Sequence, residues 1–339
     1  MTGRFTTARL IPLLGLVLLV AVGCTDREYV LIGKTMGTTY QVTVVSRRPP
    51  EGLKARIDYR LAEINRSMST YQPDSEIRRL NRRPAGEPMT VSEDFFRVLT
   101  AAAEVYRLSG GAWDPTVDPL VTLWGFGRSA PRLDVPPPEA IQRAMASVGF
   151  EAIRRTPPRR VSRVRADVSL DLGSIAKGYG VDRISALLTA HGYERHLVEI
   201  GGEVRAAGRR ANGTRWRVGI STPSPTAGPD SIHRVISLED RAMATSGDYR
   251  SFFTADGKRY SHIIDPRTGY PVANGVVSVS VIAPDCTLAD GLATAVMVLG
   301  AGDGLALIET LDRVDALLVV RDGDRGFRDR SSSGFPAMP

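Results

Sequence analysis

Hydrophobic residues along this chain recur with two periods, one typical of α-helices and one typical of β-strands. Apolar positions three or four residues apart predict helices through Leu53, Ile57, Leu61, Ile64 and Met68, through Phe95, Val98, Leu99, Ala102 and Tyr106 after a Ser92 cap, through Ile141, Met145 and Val148 before Gly149, through Ile184, Leu187 and Leu188, and over 287–300. Apolar runs predict strands at 33–45, where Gly37 interrupts the run, and at 168–172, 195–200, 215–220, 234–238, 260–265, 276–283 and 314–320. Helices set between groups of successive strands indicate a single α+β domain of mixed or antiparallel sheets with packed helices.

The N-terminus has the pattern of an export signal. Arg4 and Arg9 precede the apolar run LIPLLGLVLLVAVG at 10–23, which is too short for an ordinary membrane-spanning helix. The run ends in AVGC, small residues directly before Cys24, which resembles a bacterial lipobox whose cysteine is lipidated. The alternative is a simple N-terminal anchor helix. We therefore predict a signal peptide at 1–23, an attachment linker at 24–28, one domain at 29–325 and a flexible tail at 326–339.

Composition narrows the class of protein. The 339 residues are 42% hydrophobic, which favours a sizeable core over disorder, and the formal net charge is +7. The basic stretch RRTPPRRVSRVR at 154–165 lacks interleaved aromatic residues, so we expect a solvated hairpin or loop there and no nucleic-acid partner. Cys24 and Cys286 are the two cysteines, which excludes a disulfide within the folded part and a zinc site built from cysteines.

The segment DLGSIAKGYGVD at 171–182 follows a strand-like run and opens a helix. Unpaired N–H groups and the helix dipole make phosphate binding natural at such a point. Asp171 is a candidate acceptor for a base or ribose, and Lys177 is a candidate partner of a phosphate. Its glycine spacing matches neither the Walker motif nor the dinucleotide fingerprint, so the alternative is an N-cap acid and a surface lysine.

The helix predicted at 287–300 carries polar residues on a covered side. At about 100° per residue, Leu288, Leu292, Val296 and Leu299 form one stripe, with Asp290 and Thr294 together on the opposite side. The flanking residues are so apolar that this side is expected to be covered too, and a buried carboxylate needs a cation or donors. Oxygen ligands of this type suit Mg²⁺, and a plain salt bridge is the alternative.

Two further stretches have candidate roles. The segment at 110–127 crowds tryptophans, glycines, prolines and aspartates together, which is typical either of a wall for a flat ring or of packed loop aromatics. His262, in SHIIDPRTGYP at 261–271, is expected at the end of a strand where a loop opens to ligand, as a catalytic group or as a turn-bonding histidine. The glycine pair at 201–202 indicates a close backbone approach or a bulge.

Eight segments together resemble the ApbE family of FAD:protein FMN transferases. They occur in the family's order and cover nearly all of the mature chain: MGTTYQV, MSTYQPDSEI, GGAWDPTVDPLVTLWGFG, DLGSIAKGYGVD, EIGGEV, TSGDY, HIIDPRTGYP and ADGLATAVMVLG. The resemblance implies that FAD is bound with a divalent cation, normally Mg²⁺. It also implies transfer of FMN to a threonine hydroxyl of an acceptor protein, with release of AMP.

The resemblance also implies roles for particular residues. Flavin-contacting positions correspond to Met36, Tyr71, Ala112, Trp113, Asp114, Asp171 and Lys177, and metal positions to Ser174 (through its backbone carbonyl), Asp290 and Thr294. The catalytic base corresponds to His262, which we expect Asp265 or Asp248 to orient, and we expect Trp113 or Tyr71 to flank a ring. Ser174 stands where the family often has alanine and Trp113 where phenylalanine is frequent.

The same resemblance implies a cellular location and partners for the protein, and it leaves two alternative functions open. It implies the periplasmic side of the inner membrane with an anchor at Cys24, although Thr25 does not discriminate the inner from the outer membrane. The expected acceptors are membrane respiratory subunits of the NADH:quinone reductase or electron-transport type. The same residues would serve a Mg²⁺-dependent FAD pyrophosphatase, and a non-catalytic flavin-binding lipoprotein is the remaining alternative.

Overall fold

The computed structural model describes residues 25–127, 132, 134–224, 226–228, 231–249, 251–323 and 326–336. The predicted signal peptide at 1–23 and the predicted lipidation site, Cys24, lie outside the described residues. The fold is α+β with antiparallel sheets, as the pattern of the sequence predicts.

A central sheet of eight strands organises the molecule. Every neighbouring pair in it is antiparallel. In spatial order the strands are β1 (Arg27–Thr35), β2 (Thr38–Ser46), β6 (His196–Ile200), β7 (Glu203–Ala207), β10 (Arg241–Gly247), β13 (Val276–Ala283), β14 (Asp315–Arg321) and β15 (Phe327–Ser331). Strands distant in sequence are therefore neighbours in the sheet, so their ends and connecting turns meet around one site.

Seven helices pack on the sheet or on one another. They are α1 (Leu53–Met68), α2 (Glu76–Arg82), α3 (Glu93–Leu108), α4 (Asp118–Leu123), α5 (Pro138–Ala146), α6 (Ala176–Ala190) and α7 (Cys286–Glu309), counted over the residues that the structure describes. Apolar side chains of α1 and α6 pack on β2 and β6, and those of α7 pack on β13 and β14. α7 is long and apolar enough to cross a membrane, yet most of it is buried within this core.

The opposite face of the sheet is covered in part by a hairpin. Strands β8 (Trp216–Ser221) and β9 (Ile232–Leu238) form it, and Trp216 and Ile236 pack against Met243 and Ile282 of the central sheet. β13 is consequently covered on both faces and buried along its whole length, which explains its nearly continuous apolar sequence VVSVSVIA.

Two smaller sheets complete the fold. One contains β3 (Met89–Thr90), β5 (Arg160–Arg163) and β4 (Ile153–Thr156) in that spatial order, and the other is the hairpin of β11 (Phe252–Ala255) and β12 (Lys258–Ser261). The basic stretch at 154–165 is therefore a hairpin, as expected. Its last strand residue, Arg163, is nevertheless buried, because its guanidinium donates to backbone carbonyls that include those of Leu80 and Val168.

Three predictions of the sequence are corrected by the structure. The run predicted as one strand at 33–45 is a hairpin, because Met36 and Gly37 both have positive φ and turn the chain. The run at 168–172 is not a strand: it belongs to the connection from β5 to α6, and the backbone of Leu170 hydrogen-bonds the side chain of Asn81 instead of a neighbouring strand. The tail predicted from 326 begins with β15, which pairs with β14, and Ser332 hydrogen-bonds the backbone N–H of Ala316.

The helix predicted at 287–300 is the first part of α7. Gly300 has non-helical backbone angles, with φ at 80°, so the helical piece that contains Asp290 ends there as expected. Asn274 donates from its amide to the carbonyl of Met297 and stabilises this end. The predicted covering of both sides is also observed, because Asp290 and Leu292 are both buried.

Candidate functional site

Two cavities meet at the start of α6. The larger, of about 570 Å³, brings together seven of the residues singled out in the sequence: Asp114, Asp171, Ser174, Lys177, His262, Asp290 and Thr294. The smaller, of about 440 Å³, is lined by Met36 and Tyr71 among others. Both cavities share Asp171, Gly173 and Lys177, so these residues stand at the junction of one extended site.

The loop before α6 is shaped by Asp171. Its Oδ1 accepts the backbone N–H of Gly173 at 2.7 Å, and its own N–H donates to the carbonyl of Pro115. α6 begins only at Ala176, so Asp171 is not its N-cap. The alternative of a simple helix-capping acid is therefore wrong, and Asp171 instead fixes a turn at the junction of the two cavities.

Lys177 is an ion-paired residue of the cavity wall and not an ordinary surface lysine. Its Nζ lies 2.5 Å from Oε1 of Glu203, the first residue of β7. The ammonium also faces the carboxylate of Asp290, and the two carboxylates raise the pKa of Lys177 against the opposing effect of burial. A positive charge is thereby held at the junction of the cavities.

Asp290 and Thr294 lie one turn apart on α7, as the helical spacing predicts. Asp290 is buried, and its Oδ2 accepts the backbone N–H of Gly178 at 2.9 Å. Burial raises the pKa of this carboxyl group, and the ammonium of Lys177 opposes that shift. Thr294 Oγ1 and Ser246 Oγ share a hydrogen bond of 2.8 Å.

The oxygen atoms of Asp290, Thr294 and Ser174 at the cavity fit a hard divalent cation better than a soft one. Among the described residues no group of three or more His, Cys, Asp or Glu side chains converges on one point. The cavity instead offers the carboxylate of Asp290, the hydroxyl of Thr294 and the residue Ser174 at its wall. Such a set leaves positions for water and phosphate oxygens, which is the coordination that Mg²⁺ prefers.

The segment at 110–127 supplies residues of the wall of the larger cavity and residues that lie behind that wall. Ala112 and Trp113 are both buried and line neither cavity, whereas Asp114 lines the larger one. The ring of Trp113 is covered, with 2% of the residue exposed, and its indole N–H donates to Ser174 Oγ at 3.0 Å. Of the two aromatic residues expected to flank a ring, Tyr71 is the one exposed at a cavity.

Asp114 is held by donors on three sides. Its Oδ1 accepts from the backbone N–H and the hydroxyl of Thr116, and its Oδ2 accepts from the N–H of Phe150. Burial raises the pKa of this carboxyl group, and the donors oppose the shift. The side chain therefore fixes the loop to its neighbours where that loop reaches the cavity.

His262 follows directly after β12 and lines the larger cavity, as the sequence predicts for a strand end. Its Nδ1 lies 3.2 Å from the backbone carbonyl of Ser251. A carbonyl oxygen only accepts, so Nδ1 carries the hydrogen and the lone pair is at Nε2. Burial beside Phe126, whose ring centroid is 6.3 Å away, lowers the pKa of His262.

Neither aspartate expected to orient this histidine does so. Asp265 is engaged by Arg267, whose Nη2 lies 2.8 Å from Oδ2, and Asp248 is paired with Arg259 at 3.3 Å. The orienting group is the carbonyl of Ser251, a backbone atom that a sequence motif does not reveal. Among the residues that the structure describes, the imidazole is therefore held in one tautomer by a backbone carbonyl and not by a carboxylate.

Two functional neighbours were not singled out from the sequence. Glu203 follows the glycine pair of the EIGGEV segment and holds Lys177. Asp182, in the segment at 171–182, accepts the backbone N–H groups of Cys286 and Thr287 at 2.9 and 2.8 Å, so it ties α6 to the start of α7. The sequence did contain a signal for both, because each is an acidic residue inside a segment that had already been selected as a candidate motif.

Comparison with known proteins places these motifs in one family. The family model described as "ApbE family" matches residues 36–318. The chain belongs to the ApbE family. The segments that carry the resemblance in the sequence are therefore family segments, and they supply most of the residues that line the two cavities.

Relatives and solved structures agree with this membership. "FAD:protein FMN transferase" from Vibrio cholerae is 41% identical over 323 residues, covering 94% of this chain and 95% of the relative. The structure "Flavin Transferase ApbE from Vibrio cholerae" has a TM-score of 0.82 at 41% identity, covering 91% of this chain and 98% of that one. A Pseudomonas stutzeri flavinyl transferase ApbE, in its apo form, has a TM-score of 0.81 at 37% identity, covering 91% and 96%. This ApbE family member therefore shares the fold over nearly its whole described length.

Proposed function

We propose that this chain transfers FMN from FAD to a threonine hydroxyl of an acceptor protein in a Mg²⁺-dependent reaction that releases AMP. Relatives named as FAD:protein FMN transferases, matched over most of both chains, support the transfer of FMN from FAD to a protein. The observation that carries the chemistry is the placement of His262, with Nδ1 bonded to a carbonyl, in the cavity that also contains Asp290 and Lys177.

His262 acts as the general base. A threonine hydroxyl is a poor nucleophile until a base takes its proton. Because Nδ1 is occupied by the carbonyl of Ser251, Nε2 is the atom that accepts this proton. The lowered pKa keeps the imidazole neutral and ready to accept at neutral pH. The apolar contact with Phe126 restricts the ring further.

The bonds balance as a phosphoryl substitution. The threonine oxygen attacks the phosphorus on the FMN side of the pyrophosphate, a new P–O bond forms, and the bond from that phosphorus to the bridging oxygen breaks. AMP leaves with the bridging oxygen, and the threonine proton passes to Nε2 of His262. FMN then remains on the acceptor through a phosphoester, with no change in oxidation state.

The remaining residues bind and orient the substrate. Lys177 offers its ammonium to the pyrophosphate at the junction of the cavities, and Asp171 shapes the turn beside it. Tyr71 and Met36 line the smaller cavity, where a flat ring has room. Asp290, Thr294 and the carbonyl of Ser174 would hold Mg²⁺. When bound, the ion neutralises charge on the phosphates and on the departing AMP.

The location and acceptor follow from the N-terminus and the resemblance. Lipidation at Cys24 would tether the domain to the periplasmic face of the inner membrane. Acceptors of the respiratory type, in which a threonine receives the flavin, would then lie in the same membrane. These assignments are supported by the AVGC sequence and by the resemblance.

The test uses the soluble chain from Cys24 onward, unlipidated, with FAD, Mg²⁺ and an acceptor domain. We expect a fluorescent acceptor band whose mass is increased by one FMN less one water. The matched control is the same acceptor with its threonine replaced by valine, which keeps the shape and removes the hydroxyl. Labelling of the valine acceptor, or labelling unchanged by a chelator, would contradict the proposal.

A further inference from the structure

Glu203 is a buried carboxylate with an unusual environment. Only 2% of the residue is exposed, and one oxygen, Oε1, lies 2.5 Å from the ammonium of Lys177. The other oxygen, Oε2, is buried without a hydrogen-bond partner in the described part of the chain. Lys177 is thus the one partner that the structure gives to this side chain.

A pair of this kind is not explained by stability. Burying two charges costs more free energy than their attraction usually returns, and apolar pairs of equal volume are often as stable or more so. The two residues nevertheless meet at the wall of the larger cavity, which both of them line. We therefore explain the pair by the position in which Glu203 holds the ammonium group of Lys177 at the cavity.

The local backbone is built around this contact. Glu203 begins β7 directly after Gly201 and Gly202, which have positive φ. A Cβ on Gly201 would lie 2.8 Å from Thr38 and 3.4 Å from the side chain of Lys177. The turn lets the side chain of Lys177 pass close over the backbone and reach Glu203. Of the two interpretations of the glycine pair, the close backbone approach is therefore the one observed.

Asp290 is the competing partner of the same ammonium. The two side chains interact electrostatically across the cavity, and Asp290 is a candidate ligand of the cation. A lysine freed from Glu203 has a flexible four-carbon stem and an attractive carboxylate within reach. Glu203 therefore keeps the ammonium away from Asp290 and directed towards the junction of the cavities.

We infer that Glu203 is a positioning residue for the transfer reaction, and that it acts on FAD binding only through Lys177. The inference rests on the proposed function in one respect, that FAD is the ligand of this cavity. It requires neither an acceptor protein nor the base, so a failure of transfer leaves its test intact.

The test is a double-mutant cycle on FAD affinity, measured by flavin fluorescence without acceptor. Glu203→Met and Lys177→Met both keep side-chain volume. We expect Glu203→Met to weaken FAD binding by about tenfold or more, and to have less than about a threefold effect when Lys177 is already methionine. Glu203→Gln, which keeps an acceptor for the ammonium, should recover most of the affinity.

The matched control is Glu28→Met. Glu28 also belongs to an ion pair, since its Oε2 lies 2.8 Å from Nη2 of Arg210, but it lines neither cavity. Its effect should stay within about threefold in both backgrounds. Unchanged affinity in Glu203→Met, an equal loss in the Lys177→Met background, or a glutamine as weak as the methionine would overturn the inference.

The test remains decisive even if one of the variants fails to fold. Removing the buried partner of an ion pair is destabilising, so Glu203→Met alone is the variant most prone to unfold. The double variant removes both charges and is expected to fold. Its FAD affinity should match that of Lys177→Met, and a clearly lower affinity would show a role of Glu203 that does not pass through the lysine.

Discussion

At the scale of single residues, the site depends on groups whose partners fix their protonation and direction. His262 owes its tautomer to the carbonyl of Ser251, and Lys177 owes its position to Glu203. Ser174 is held by the indole N–H of Trp113, so a residue expected to stack on a ring supports the site from behind. The shape of the cavity therefore depends on the residues that hold the lining side chains in place as much as on the lining side chains themselves.

The pH dependence of the reaction follows from the burial of His262. A base works only when it is deprotonated, so the rate falls as pH drops through its pKa, and burial moves that fall to lower pH. We expect the acid limb of kcat/KM for FAD to lie below about pH 6.5, the value for an ordinary imidazole. A profile recorded in several buffers measures it.

The control for this profile is His191→Gln. His191 is exposed at the end of α6 and bonds the carbonyl of Leu187, so its loss should leave the limb in place. An acid limb above about pH 6.5 in the wild type would contradict the role assigned to a half-buried, neutral His262.

At the scale of elements, the crossing of α6 and α7 brings the binding groups together. α6 carries Lys177 near its start, and α7 carries Asp290 and Thr294. Asp182 bonds the first N–H groups of α7, and Arg205 donates to the same carboxylate at 2.6 Å. The relative position of the two helices therefore sets the distance between the ammonium and the carboxylate.

A single methyl group should disturb this crossing. A Cβ on Gly178 would lie 2.2 Å from the carbonyl oxygen of Cys286 and 2.8 Å from Cβ of Asp290. We expect Gly178→Ala to lower the free energy of unfolding by about 1–3 kcal/mol and to weaken FAD binding, because α6 must move away from α7. Chemical denaturation and flavin fluorescence measure the two effects.

Gly302→Ala is the matched control for this prediction. Gly302 lies in α7 as well, and a Cβ there meets no atom within 4 Å. Alanine should stabilise this exposed helical position by up to about 1 kcal/mol. Equal stability of Gly178→Ala and the wild type would show that the close crossing is not as described.

The sequence predicted those features of the elements that depend on neighbouring residues along the chain, and it missed those that depend on contacts between distant segments. Helical spacing placed Asp290 and Thr294 on one covered side, because the period of a helix is a local property. The turn at Met36 was missed, since a methionine with positive φ gives no turn signal of its own. The ion pair of Lys177 with Glu203 joins a helix to a strand 26 residues further along the chain, so it depends on how α6 packs on β7, which is not a local property of the sequence.

At the scale of the whole molecule, the antiparallel sheet joins segments from both ends of the chain. β1 forms one edge and β15 the other, so the fold extends to within a few residues of the C-terminus. The sequence predicted a flexible tail there because the segment is polar. All five residues of β15 are exposed, and an exposed edge strand lacks the apolar alternation that identifies strands.

Truncation tests this assignment of the C-terminus. A chain ending after Gly323 would lose β15 and Ser332, which leaves the backbone of β14 unpaired along one edge. From about 0.2–1 kcal/mol for each of the five cross-strand pairs, we expect a loss of about 1–5 kcal/mol in unfolding free energy and a greater tendency to aggregate. Thermal melts and light scattering measure both.

The control is a chain that ends after Pro336, which keeps the strand and both hydrogen bonds between Ser332 and Ala316. It should melt as the full chain does. If the shorter chain ending after Gly323 also melted unchanged, the segment from 326 would be a dispensable tail after all.

The most direct test of the central claim is the ratio of AMP released to flavin attached, with wild type and His262→Ala compared under the same FAD, Mg²⁺ and acceptor. We predict one AMP for each flavin on the acceptor threonine, and a fall of about 10²–10⁴-fold in both products when the imidazole is removed. AMP released without attached flavin would identify water as the acceptor and the protein as a pyrophosphatase. Undiminished transfer by His262→Ala would contradict its role as the base.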